Sequence, residues 1–185
     1  MGLKGDDIPP RPLYIAFLTG LHLISENKYD LIIFYQTLVL GLLPVFVYFC
    51  GKDLHSIEAG LGAAMLVILR ETHAILAAPF GHNVSTTKYF FSDIPTALVC
   101  AAFIWMLIRW QKQSDTPFRA SRTALAAGCA LGAMALIRTQ SLCLILLLPF
   151  PLIPAFRHSA KQAFRQILLF VLALLICIAP WLLRS

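Results

Sequence analysis

A chain of 185 residues with a formal net charge of +6 is 59% hydrophobic and only 13% charged, and its mean hydropathy is +0.78. Soluble domains run about 45–50% apolar and about 25% charged, so the composition excludes an ordinary water-soluble domain, and no nucleic-acid partner is expected from the positive charge. The fold class it implies is all-α: a single polytopic transmembrane bundle over residues 1–185, with about five or six membrane helices of roughly 20 residues each and a short N-terminal juxtamembrane helix.

In chain order, Pro9, Pro10 and Pro12 give a stiff, extended start. Residues 13–25 read as a helix that rises roughly 20 Å, short for a span, followed by a polar turn at 26–30. Residues 31–50 form the first span, which carries Gln36 and Pro44. After a short loop at 51–56, residues 57–78 form the second. It opens on small residues (Ala59, Gly60, Gly62) that allow close helix contact. A Ser- and Thr-rich loop at 82–92 leads to Asp93-Ile-Pro95, which has the form of a helix start. Residues 94–110 are a span, and 111–122 are the longest hydrophilic connection. Two short spans, 123–137 and 141–156, are joined by a tight polar turn at Arg138–Gln140, and the first of them contains Gly128-xxx-Gly132. A hydrophilic stretch at 157–166 precedes the last span, 167–183. The cysteines Cys50, Cys100, Cys129, Cys143 and Cys177 have no CxxC or Cys/His spacing and read as small buried side chains.

Orientation follows from the basic residues. One set of loops holds Lys52, Arg109, Lys112, Arg119, Arg122, Arg157, Lys161 and Arg165 against Asp53, Glu58 and Asp115. That set is expected on the cytoplasmic side and reads as a topology signal. The other side is then extracytoplasmic.

Arg70 and Glu71 break the apolar run of the second span. A charge at a bilayer centre costs about 2.5–3.5 kcal/mol on insertion scales. Climbing about 15 residues from the turn near His55 lifts this pair roughly 22 Å, toward the extracytoplasmic boundary. Lys88 and Asp93 in the next loop, and Arg138 and Gln140 after the 123–137 segment, are expected at the same depth. Cations at such a rim suit a phosphate. A carboxylate there suits a general base or a divalent-metal ligand. Each residue also has a plainer reading: Arg70–Glu71 as a structural pair, Lys88 and Arg138 as snorkelling headgroup contacts, Asp93 as a helix cap.

The stretches Pro9-Pro-Arg-Pro-Leu-Tyr14, Tyr29-Asp-Leu-Ile-Ile-Phe-Tyr-Gln36, Leu69-Arg-Glu-Thr-His-Ala-Ile75, Phe91-Ser-Asp-Ile-Pro95, Leu136-Ile-Arg-Thr-Gln140 and Pro180-Trp-Leu-Leu-Arg184 occur in an order that resembles the C-type (GT-C) membrane glycosyltransferases. That family includes protein O-mannosyltransferases and the aminoarabinose transferases that act on lipid A. The resemblance implies a multi-pass protein of the cell inner or plasma membrane, active at its extracytoplasmic face. It would move a sugar from a polyprenyl-phosphate carrier to a lipid, glycan or protein acceptor, among membrane lipids. It gives Asp93 and Asp7 catalytic roles, and Arg70, Glu71, Lys88, Arg138 and Gln140 substrate-binding roles. The cofactor stays open, with a divalent cation as one option. Family members are generally longer, and their catalytic acid follows a first span that is not found before Asp7, so the chain is expected to be a fragment. Two other readings stay open: a transporter or flippase segment, and a non-catalytic membrane scaffold.

Overall fold

The computed structural model describes residues 12–26, 28–77, 93–113 and 116–182, and every regular element among them is helical. The elements are α1 (Pro12–Ile24), α2 (Tyr29–Leu40), α3 (Leu43–Leu54), α4 (Ile57–Ala77), α5 (Asp93–Lys112), α6 (Pro117–Ile137), a 3-10 segment (Thr139–Leu147), α7 (Pro149–His158) and α8 (Ala160–Leu182). Among the described residues, 6 stretches are long and apolar enough to cross a membrane, and α1 is a shorter apolar helix. The all-α polytopic bundle expected from composition is the observed architecture.

Several boundaries differ from the sequence reading, each for a local reason. The span expected over 31–50 is two helices on one 26-residue stretch, Tyr29–Leu54. Pro44 has no N–H to return to Leu40, so the ladder breaks there. The chain bridges the gap with a turn in which Gly41 donates to the Thr37 carbonyl at 2.8 Å and Leu42 to that of Val39 at 3.1 Å. Residues 51–54, expected as loop, continue α3. The turn at His55 and Ser56 is tight, and the Ser56 hydroxyl accepts the N–H of Ala59 at 3.2 Å, an N-cap contact that starts α4.

The hydrophilic connection expected over 111–122 is much shorter. Helix α5 runs on to Lys112, and α6 begins at Pro117 with proline in its first turn, where the missing N–H costs nothing. The segment after Arg138 winds as 3-10 helix over nine residues, Thr139–Leu147, long for that form. Pro149 and Pro151 then fall in the first turn of α7, where no ladder bond is lost, and Pro154 alone stands inside the helix. The hydrophilic stretch expected at 157–166 is helical apart from a break at Ser159.

Helix α6 is the hub, packing closely against α5 and α8 and also touching α1 and the 3-10 segment. Its buried face repeats at helical spacing: Ala120, Ala124, Ala127, Leu131 and Met134. Phe103, Leu107 and Trp110 of α5 and Phe170 and Leu174 of α8 complete the core. Within it the Trp110 indole N–H donates to Gln166 Oε1 at 2.7 Å, and the two fully buried polar groups satisfy each other. Helix α4, by contrast, leans chiefly on α3. The two backbones meet at Gly51 and Gly60, where a Cβ on Gly51 would lie 2.7 Å from the Gly60 Cα. The remaining faces of α4 present Leu61, Met65 and Leu69 outward. An apolar belt of that kind is what lipid tails cover.

At Gly128 an added Cβ would run into the Phe170 carbonyl oxygen of α8, whereas at Gly62 it would meet nothing within 4 Å. Gly128→Ala is therefore expected to destabilise the bundle by about 1–3 kcal/mol through overpacking. Gly62→Ala is expected to be neutral or to stabilise by about 0.5–1 kcal/mol, since it removes helix-interior glycine. Unfolding of the two variants in matched detergent checks the difference in sign.

Candidate functional site

The helix path that opens at Pro44 also opens a cavity. Residues of the α2–α3 junction, the C-terminal half of α4 and the first turns of α5 enclose about 670 Å³. Most of the wall is aliphatic, with Leu40, Leu66, Ile75 and Ile94 among it, and the polar contributors are Thr37, Arg70, Glu71, Thr72 and Asp93. The hollow exists because α4 is held by α3 at the Gly51–Gly60 crossing and makes little close contact with α5.

Arg70 and Glu71 form an ion pair, Nη1 to Oε2 at 3.2 Å, with side chains 54% and 23% exposed. The next residue, Thr72, returns its hydroxyl to the Ile68 carbonyl at 2.9 Å, which leaves the charged pair as the strongest local field in the α4 wall. Asp93 is the first residue of α5, where the helix dipole favours a carboxylate. Its Oδ1 lies 2.5 Å from Nη2 of Arg138, with the two side chains 45% and 38% exposed. Arg138 can reach it because α6 ends there. The backbone turns extended at φ −147°, ψ 114°, and its N–H closes the last helical turn on the Met134 carbonyl at 2.7 Å.

Arg70, Glu71 and Asp93 therefore line one cavity, and Arg138 is tied to its rim through Asp93. Gln140 is exposed on the 3-10 segment and is not among the lining residues. Asp7 and Lys88 lie outside the described residues. Among the described residues no three His, Cys, Asp or Glu side chains gather in a way that would hold a metal ion. The sequence reading did not reach Thr37, Gly41 and Pro44 as cavity wall. The signal available was a glycine and a proline three residues apart inside an apolar run.

The eight basic residues of the other side gather at the opposite end of the bundle. Antiparallel α5 and α6 place Arg109 and Lys112 beside Arg119 and Arg122, some 16 or more residues and about 24 Å along the axis from Asp93. The Trp110–Gln166 bond brings the start of α8, with Lys161 and Arg165, to that same end. Comparison with protein-family models, with curated proteins and with solved structures finds no match to this chain.

The Asp93–Arg138 pair joins two helix ends and is partly exposed, so its coupling is expected to be modest, about 0.2–1 kcal/mol. In a double-mutant cycle of Asp93→Asn and Arg138→Gln, followed by unfolding, the double variant is expected to cost less than the sum of the singles by that amount.

Proposed function

We propose that the chain is the membrane part of a glycosyltransferase that uses a polyprenyl-phosphate-linked sugar, with the cavity between α4 and α5 as its donor site. The observation that carries this reading is that Arg70, Glu71 and Asp93 line one mostly aliphatic cavity whose rim Asp93 shares with Arg138. An apolar wall with an ionic rim fits an amphiphile with an anionic head. The guanidiniums of Arg70 and Arg138 supply charge-assisted donors for phosphate oxygens, and Glu71 holds Arg70 in place.

In the reaction proposed, the acceptor hydroxyl oxygen forms a bond to the anomeric carbon. The bond from that carbon to the phosphate oxygen breaks, and the polyprenyl phosphate leaves with the electron pair. Asp93 takes the hydroxyl proton. Arg70 and Arg138 neutralise the charge that grows on the departing phosphate. The gathering of Lys52, Arg109, Lys112, Arg119, Arg122, Lys161 and Arg165 at the opposite end supports a cytoplasmic placement of that end and an extracytoplasmic placement of the cavity. A second reading has its own observation. Asp93 is already paired with Arg138, as a purely structural clasp between α5 and α6 in a scaffold would be.

The two readings part in nanodisc experiments with polyprenyl monophosphate and with a polyprenyl-phosphate hexose. Arg70→Gln is expected to weaken polyprenyl-phosphate binding about tenfold or more. Asp93→Asn frees Arg138, so it is expected to keep or tighten that binding while abolishing sugar release. Sugar release that survives Asp93→Asn in a less stable protein removes Asp93 as the base and establishes the clasp, and the absence of sugar release by the unaltered chain removes the transferase.

A further inference from the structure

A second hollow lies at the far end of the same two helices, between the last turn of α5 and the first two turns of α6. It encloses about 490 Å³, and its wall includes Trp105, Arg109, Gln113, Arg119, Arg122 and Thr123. We infer that this hollow is a phosphate-binding site, filled by the phosphate of an anionic lipid headgroup or by a soluble phosphate. It is separate from the α4–α5 cavity and does not depend on how that cavity is read.

Three arginines from two helices line it, each with five N–H donors in a planar fork that matches phosphate oxygens. Among the described residues, none of the three has a carboxylate partner, whereas the neighbouring Lys112 pairs with Asp53 at 3.7 Å. A count of positive charges sufficient to orient the protein does not require them to face one hollow. Arg157, Lys161 and Arg165 lie at the same end and line neither of the two cavities.

The walls are also ordered. The Trp105 indole N–H donates to Asp53 Oδ2 at 3.0 Å. Its ring stacks on Phe49 with centroids 5.3 Å apart and carries the Arg109 guanidinium 5.2 Å from the ring centre. Arg122 lies over the Phe118 ring at 5.8 Å. The Thr123 hydroxyl lies 2.7 Å from Gln113 Oε1 and 2.9 Å from the Arg119 carbonyl oxygen, and its one proton serves one of the two. Arg109 therefore rests on Trp105 in the wall and Arg122 on Phe118 beside it, which limits the freedom of both before any ligand arrives, and less ordering remains to be done on binding.

Helix electrostatics sharpen the point. Arg119 and Arg122 stand in the first two turns of α6, where the dipole is positive and disfavours a cation. An anion in the hollow would offset that unfavourable placement of the arginines. The depth is suitable as well, since the hollow falls at the ends of two apolar spans, where lipid phosphates lie.

The test uses the purified full chain in phosphatidylcholine nanodiscs and follows the unfolding midpoint. Two probes are titrated separately, phosphatidic acid within the disc and inorganic phosphate in the buffer. The expected result is a saturable rise with one of them. Saturation by phosphatidic acid alone assigns a lipid headgroup, and saturation by inorganic phosphate assigns a soluble ligand. Arg119→Gln and Arg122→Gln are each expected to weaken that response about tenfold or more. Their Lys counterparts keep the charge but lose the fork, and are expected to fall between. Arg157→Gln is expected to leave the response unchanged. A response to neither probe overturns the site, as does a loss in Arg157→Gln equal to that in Arg122→Gln, which marks diffuse surface charge.

Discussion

The close approach of α6 to α8 is the constraint on which the rest of the architecture depends. Lipid tails are as apolar as leucine, so helices in a membrane associate through van der Waals contact, and small residues let backbones meet. At Gly128 and Gly132 there is no room for more than hydrogen: a Cβ would collide with the Phe170 carbonyl at the first and lie 2.6 Å from the Cys177 Cβ at the second. That contact sets the rotation of α6 about its axis. The opposite side of the same small-residue face receives Phe103, Leu107 and Trp110 of α5. Once the rotation is set, the side chains at both ends of α6 are aimed as well. Arg138 is turned toward the start of α5, and Arg119 and Arg122 toward its end.

A tight half and a loose half follow. Helices α5, α6 and α8 share a buried core, while α4 stands outside it and reaches the bundle through α3. Helix α3 packs on α5 from Phe46 to Asp53: Asp53 receives the Trp105 N–H and pairs with Lys112, and Phe46 and Phe49 pack on the Trp105 ring. Beyond that anchor the chain kinks at Pro44, and α4 and α5 are free to diverge. The cavity opens where the anchoring interactions run out. One of its walls, the start of α5, is held by Arg138. The other, the C-terminal half of α4, has few buried neighbours, which places it at the low end of local stability.

The spans were legible in the sequence because hydropathy and length are local properties. So was the common depth of Arg70, Asp93 and Arg138, because rise per residue converts position into height. Height says nothing about azimuth. That Arg138 meets Asp93 while Gln140, two residues on, faces away depends on the extended backbone at the end of α6 and on the 3-10 winding after it. The 3-10 segment packs against α6, and no periodicity announces either feature. The α2–α3 break was masked by an unbroken apolar composition across Gly41 and Pro44. The basic hollow escaped for a different reason. Its arginines fit a topology rule so well that charge alone gave no cause to look further, and only the antiparallel fold of α5 and α6 makes Arg109 a neighbour of Arg119 and Arg122.

The two ends of the α5–α6 pair solve the same electrostatic problem in opposite ways. At one end both partners suit their helix dipoles: Asp93 at a helix start and Arg138 at a helix end. The ion pair adds to an arrangement that each helix already favours. At the other end Arg109 and Lys112 suit the end of α5, and Lys112 finds Asp53. Arg119 and Arg122 stand against the dipole of α6 and face Arg109 across the hollow. Repulsion between unit charges is about 4 kcal/mol at 4 Å for an effective dielectric of 20, and it falls with distance, screening and exposure. A membrane protein that needed only positive charge at this end could have spread it along the loops and avoided the penalty. Concentrating it on one hollow beside Trp105 is disfavoured in the empty state and favoured once a phosphate occupies it, and the proposed phosphate site rests on that asymmetry.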